Sequence, residues 1–381
     1  MLVIVLGAIA SVLWLNMRQP PATKSSYAVV GHAYFVSSGQ LNENTSQGIA
    51  DRLQIALDTI PHPQPNKSYY VWLLSDNDGQ TNIAPILLGS SQSGGHIALF
   101  YAGNAQHSDL LARYSRLLVT EEDAGLIPTN PSLDQQTWRY AASFSQVKKP
   151  GQMDSLLEHL RHLLSQASMS TDMGMDTGTV MAGGLDVQLF RNTLKVLEEA
   201  GSIRDARNGG GTAFMRRQLV RMLDYLDGVA YVKMELLPAD LSPVMADPLK
   251  AHMGLLQVTP AQNPPGYLKE IGNHLRELVM VPGVTPEQKA LAIRINAALN
   301  MVQFWLQVAH TDAIKLLQMT PQQLLAPTTV ALLDDLFTQA NNAFVGQTDP
   351  NTNQVRAGVV QIHYDIQRLA TFDIQPYTAA R

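Results

Sequence analysis

The chain has 381 residues, 45% of them hydrophobic and only 15% charged, with a net charge of −5. That length allows two or three domains of ordinary size, and neither half carries the basic excess that nucleic-acid binding requires. Cysteine is absent, which excludes disulfides, thiolate zinc sites, iron–sulfur clusters and cysteine nucleophiles.

Residues 2–15 (LVIVLGAIASVLWL) carry no charge, and Asn16 and Met17 extend the run to Arg18. No basic residue precedes the run and no small-x-small cleavage site follows it, while Trp14 and Arg18 suit a membrane interface. The expectation is a transmembrane helix over residues 1–17, followed by a Pro-containing linker over residues 18–26. A cleaved signal peptide and a buried core helix are the alternatives. Arg18 and Lys24 follow the run, and the positive-inside rule taken alone would place that side in the cytoplasm.

Residues 27–148 read as short strands. Leu53, Ile55 and Leu57 alternate with Gln54, Ala56 and Asp58, the period of a half-buried strand. Residues 68–74 (SYYVWLL) are nearly continuous in apolar and aromatic side chains, as a central strand requires. Further β-prone runs lie at 27–30, 32–36, 86–88, 97–101 and 116–120, separated by Gly- and Asn-rich turns such as Asp76-Asn77-Asp78-Gly79. Many short strands with frequent turns predict an all-β sandwich, in which Trp72 fills the interior.

After residue 148 the period changes. A helix and a flexible linker are expected over 149–184, then an α-helical bundle over 185–381. Its predicted helices cover 185–200, 212–236, a shorter piece within 240–258, 267–281, 286–319, 321–343 and 354–371. The Thr285-Pro286-Glu287 run supplies a cap, a first-turn proline and a first-turn acid. The fold class is therefore multi-domain: an N-terminal transmembrane helix, an all-β sandwich and an all-α helical bundle.

Candidate chemistry is sparse. Glu158, His159 and His162 offer two imidazoles at i,i+3 with an acid beside them, but no third ligand stands nearby in sequence, and a solvated helix face is the plainer reading. His310 with Asp312 and His363 with Asp365 are i,i+2 pairs, which point apart on a helix and read as surface polar residues. Met169, Met173, Met175 and Met181 read as linker rather than a copper site. Gly209, Gly210, Gly211 and Thr212 before a helix, with Arg216, Arg217 and Arg221 in reach, form the best polar candidate, a weak anion-binding loop. No Gly-x-Ser-x-Gly elbow occurs. No residue is assigned a catalytic, cofactor-binding or metal-binding role, and no cofactor is expected.

Tyr70-Val71-Trp72-Leu73-Leu74, then Asp78-Gly79, Leu88-Gly89, Leu118-Val119-Thr120-Glu121-Glu122, Gly125, Pro128-Thr129 and Trp138-Arg139-Tyr140 together resemble the extracytoplasmic domain of anti-sigma-K factors, bacterial membrane regulators, over about residues 1–145. In this resemblance Tyr70, Trp72, Asp78, Gly79, Thr120, Glu121 and Trp138 are structural motif residues. The family's Glu-Pro-x-Gly turn is replaced here by Glu122-Asp123-Ala124-Gly125, and a cytoplasmic sigma-binding domain with its His/Cys zinc site has no counterpart in this sequence. The resemblance implies a non-catalytic binding or sensor module at the cell membrane. The bulk of the chain would be extracytoplasmic, with the lipid bilayer and a sigma-factor regulatory system or envelope protein as partners. An envelope scaffold or adhesion protein is the alternative. A further one is an envelope enzyme with a bundle site drawn from residues such as Arg216, Arg217 and His252.

Overall fold

The computed structural model describes residues 28–39, 47–77, 83–168, 180–232, 237, 241 and 245–378. Seven strands come first: β1 (Gly31–Val36), β2 (Arg52–Ile60), β3 (Lys67–Ser75), β4 (Ile86–Ser91), β5 (Gly95–Tyr101), β6 (Tyr114–Asp123) and β7 (Trp138–Ser143). Helix α1 (Leu156–Leu164) and the short strands β8 (Gln166–Ser168) and β9 (Val180–Ala182) follow. Helices α2 (Gly184–Asn208), α3 (Thr212–Asp227), α4 (Tyr267–Leu278), α5 (Pro286–Leu317), α6 (Pro321–Leu325) and α7 (Val330–Val345) form the helical layer. The chain then runs through β10 (Gly346–Thr348), β11 (Val355–Ala357), α8 (Val359–Leu369) and β12 (Thr371–Pro376).

The strands do not make two packed sheets. They form one eight-stranded sheet in the order β4-β3-β6-β7-β12-β1-β2-β5, antiparallel at every pairing. Strands β4 and β5 stand at opposite ends of that order, yet only residues 92–94 separate them in the chain. So short a link spans little more than about 15 Å even when extended, so the sheet must curl until its ends meet. Gly89 on β4 meets Leu99 on β5, where an added Cβ would lie 3.2 Å from a Leu99 methyl. A nearly closed barrel-like sheet therefore replaces the expected sandwich.

The expected all-α second half is corrected too. Strand β12 lies between β7 and β1, with Phe372 opposite Ala33 and Gln375 opposite Ala141. The helix predicted over 354–371 is instead β11, α8 and β12. No helix forms in the described part of 240–258, and the piece predicted over 321–343 is split, because Pro327 cannot continue α6. The transmembrane segment expected over residues 1–17 lies outside the described residues, and so does the linker. No helix among the described residues is long and apolar enough to cross a membrane, so the structure lends that helix no support.

Alternation sorts the side chains. Ala33, Phe35, Leu53, Ile55, Leu57, Tyr69, Val71, Leu73, Leu117, Val119, Phe372 and Ile374 share the inward face and join the helical core without a break. Phe144 stacks on Phe372 at 4.1 Å between ring centres, and Phe35 lies 5.7 Å from Phe372. Strand β3 is buried on both faces, because Tyr70, Trp72 and Leu118 form a second cluster with Leu74, Leu87, Trp138 and Ala141 on the opposite side. Trp72 thus fills that outer cluster rather than the main interior.

The helices close one end of the barrel. Arg161 of α1 forks onto the Asp76 carboxylate at 2.7 and 2.8 Å and donates to the Leu111 carbonyl. Asp109 accepts from the Ser165 hydroxyl at the end of α1 and from the Ala112 amide. Gln288, in the first turn of α5, donates to the Leu369 carbonyl just before β12. Helix α5 begins with a Thr285–Gln288 capping box and Pro286 in its first turn, where the sequence placed it.

Truncating Phe372 to Ala should cost about 3–5 kcal/mol, as large-to-small changes of buried aromatics do, measured by urea unfolding. Burial lifts the Asp109 carboxyl to about 7. Between about pH 4 and 7 the folded chain keeps a proton that the unfolded chain has released, so this group's contribution falls as pH rises through that window. Asp109→Asn should remove that contribution, on the order of a few kcal/mol, and flatten a pH series of unfolding midpoints.

Candidate metal centre

Three imidazoles and three carboxylates meet where α1 crosses α4. Helix α1 opens with a capping box, Ser155 accepting from the Glu158 amide while Glu158 accepts from the Ser155 amide at 2.7 Å. Glu158 also holds Lys148 at 2.7 Å. The acid beside the two histidines in sequence is therefore engaged elsewhere, and Asp154, the residue before the cap, takes its place. Its carboxylate lies 3.6 Å from His162 Nδ1. From α4, Glu270, His274 and Glu277 fall at i, i+4 and i+7, one face of a helix.

One ligand atom from each of Asp154, His162 and His274 lies within 4.8 Å of the other two. A tetrahedral zinc with ligands about 2.0–2.1 Å away separates them by about 3.4 Å, so the Asp154–His162 distance already suits a shared ion. Carboxylate and imidazole also form a donor set for zinc and its neighbours. Glu270 Oε1 stands 3.8 Å from His274 Nε2 and offers a fourth contact. A cavity of about 520 Å³, lined by Asp154, Glu270, His274 and Glu277, opens onto the group.

His159 is fully buried rather than on a solvated helix face. Its Nδ1 lies 3.1 Å from His274 Nδ1, so the two rings share one proton. When His274 donates it, His274 Nε2 keeps a free lone pair facing the Glu270 side, and His159 fixes the ring much as an outer acceptor orients a metal-bound histidine. His159 Nε2 has no hydrogen-bond partner, and the nearest carboxylate oxygen, on Glu277, is 4.0 Å away. Burial, with help from His162 and His159, pushes His274 down to about 3, and burial also lowers His159. Both rings are neutral at ordinary pH, the state in which imidazole coordinates a metal.

The other predicted residues do not assemble. The amides of Gly209, Gly210 and Gly211 bond the carbonyls of Ala206 and Arg207 at the end of α2, so that loop is closed on itself rather than cradling an anion. The Thr212 amide bonds Gly210. Arg216 donates to the Met319 carbonyl at 2.6 Å, Arg217 sits over the Phe214 ring and Arg221 pairs with Glu199. His252 bonds the Leu249 carbonyl beside Gly228, about 18 Å along α3 from Arg216 at 1.5 Å per residue. The members of each i,i+2 pair do point apart. His310 meets Asp227 and His363 meets Asp186, at 3.0 and 2.7 Å, while Asp312 holds Lys315 and Asp365 holds Arg294. Asp312 and Asp365 are buried rather than on the surface.

Of the strand motif residues, Tyr70, Trp72, Thr120 and Trp138 gather on the outer sheet face, and Glu121 holds the Arg139 guanidinium at 2.6 Å. Asp78 and Gly79 lie outside the described residues, as do Met169, Met173 and Met175. No family model matches the chain, and no curated protein and no solved structure matches it. His274 should stay uncharged down to about pH 3, as followed by NMR of its imidazole nitrogens.

Proposed function

We propose that the protein is a non-catalytic binding and sensor module of the bacterial envelope that responds to a divalent transition metal. The ion is held by Asp154, His162 and His274. The observation that carries this reading is the convergence of those three ligand atoms, with the His274 ring oriented by buried His159. An ion at this point fastens α1, which braces the end of the barrel through Arg161, to α4 of the helical layer. Binding to the folded state alone adds about 2.7 kcal/mol when the free metal is at 100 times its Kd. Metal level thereby becomes rigidity at the joint of sheet and helices. Regulation of sigma-factor activity, implied by the strand residues, is one output such a sensor would serve. Metal-assisted hydrolysis is the second reading, favoured by the open cavity and by Glu270 and Glu277 beside the ligands.

Titration with Co²⁺ should show one bound ion with visible absorption of low-symmetry coordination, displaced by Zn²⁺. Asp154→Ala, His162→Ala and His274→Ala should each abolish it, and His159→Leu should weaken binding about 10–100-fold, the usual cost of losing an orienting neighbour. Wild-type protein that binds neither metal, or binds equally after His274→Ala, refutes the site. Turnover of ester or peptide substrates by the zinc-loaded protein would favour the hydrolase.

A further inference from the structure

The loop between β6 and β7 holds three aliphatic side chains almost wholly in solvent: Leu126 at 82%, Ile127 at 76% and Leu133 at 94%. Three aliphatic side chains this exposed within residues 126–133 suit a surface that covers them. The loop is not loosely tethered. Tyr70 donates from its hydroxyl to the carbonyls of Asp123 and Leu126, at 3.1 and 3.4 Å. Trp72 Nε1 donates to the Thr120 hydroxyl, which donates to Glu122, and Glu122 accepts the Ser132 amide. Trp138 Nε1 donates to the Ser132 carbonyl at 2.8 Å. The aromatic cluster on the outer sheet face therefore fixes both limbs of the loop and leaves its aliphatic tips outward.

This loop lies at the end of the barrel away from the helices. There β6 ends, β7 begins and β12 ends, with Tyr377 donating its amide to Arg139. Val30, just before β1, bonds Ile374 at the same end. The chain therefore reaches β1 from the side on which the loop stands. Upstream, residues 2–15 carry no charge, and the twelve residues 16–27 reach at most about 40 Å.

We propose that Leu126, Ile127 and Leu133 insert into a lipid bilayer surface, seating the loop end of the barrel on the membrane with the metal centre turned away from it. Contact by the loop does not depend on residues 2–15 crossing the bilayer; the uncharged run upstream of β1 is what favours lipid over another apolar surface. A second copy of the chain fits less well, because a stable interface buries about 800 Å² on each partner, more than three aliphatic side chains expose. Residues 124–137 contain no Lys or Arg, so the contact is apolar and does not depend on anionic lipid.

The absence of cysteine allows a direct test on the full chain. Leu126→Cys and Leu133→Cys each carry an environment-sensitive fluorophore, and Phe304→Cys on α5, another exposed position, serves as the control. With phosphatidylcholine vesicles containing a bromolipid quencher, positions 126 and 133 should shift to the blue and be quenched at least twofold more than position 304. Quenching that is equal at all three positions, or absent at 126 and 133, overturns the proposal. So does a blue shift that grows with protein concentration without vesicles, which assigns the loop to self-association. The metal-binding variants leave this readout untouched, so the two readings stand or fall separately.

Discussion

The pairing of β12 with both β7 and β1 is the constraint on which the rest of the structure depends. Without it the sheet falls into two ribbons, β4-β3-β6-β7 and β1-β2-β5, each with an unpaired edge of the kind that invites aggregation. The strand brings Phe372 and Ile374 into the interior, and Phe372 stacks on Phe144 where the sheet gives way to the helices. Because α8 runs directly into β12, the packing of α8 on the helical layer and the closure of the sheet are one event. Sheet and helices therefore share a single core rather than two joined by a linker.

That shared core explains why a polar cluster persists at the joint. Helix α1 follows β7 and is held against the barrel rim by Arg161 on Asp76 and by Ser165 on Asp109, which leaves its other side for α4. Three histidine rings packed together, with carboxylates around them, place dipoles and lone pairs where apolar residues would pack more cheaply. The neutral state of His159 and His274 relieves the charge repulsion but not the missing hydrogen bond at His159 Nε2. The cation proposed for Asp154, His162 and His274 would meet their lone pairs and charge together, while the His159 Nε2–H faces the Glu277 carboxylate 4.0 Å away.

Most of the strands were legible in the chain, because Leu53, Ile55 and Leu57 alternate as residues on one buried face must, and residues 68–74 run almost unbroken in apolar side chains, as a strand covered on both faces does. Strand β12 was not. Its two buried residues follow Ala370 without a turn residue, so the helical pattern of α8 ran on through it, and nothing local states that its neighbours lie at residues 31–36 and 138–143. Closure into one curled sheet was hidden for the same reason, since alternation is equally satisfied by a sandwich. His159 and His162 were visible as a pair, but their partner His274 lies 115 residues from His159. The stripe Glu270, His274, Glu277 was there to be read as a second polar helix face. Only packing shows that the two faces oppose each other.

The register that joins β1 to β12 pairs Gly31 with Ile374, and the Val30 amide still bonds the Ile374 carbonyl. The polypeptide thus leaves the fold within one strand spacing of where it came in, about 4.8 Å across a sheet. A body whose two ends stand side by side can be carried as a cassette in a surface loop of a host protein, or relinked head to tail and opened at an exposed turn such as that between β10 and β11. The continuous hydrogen-bonded seam between the first and last strands would survive either rearrangement.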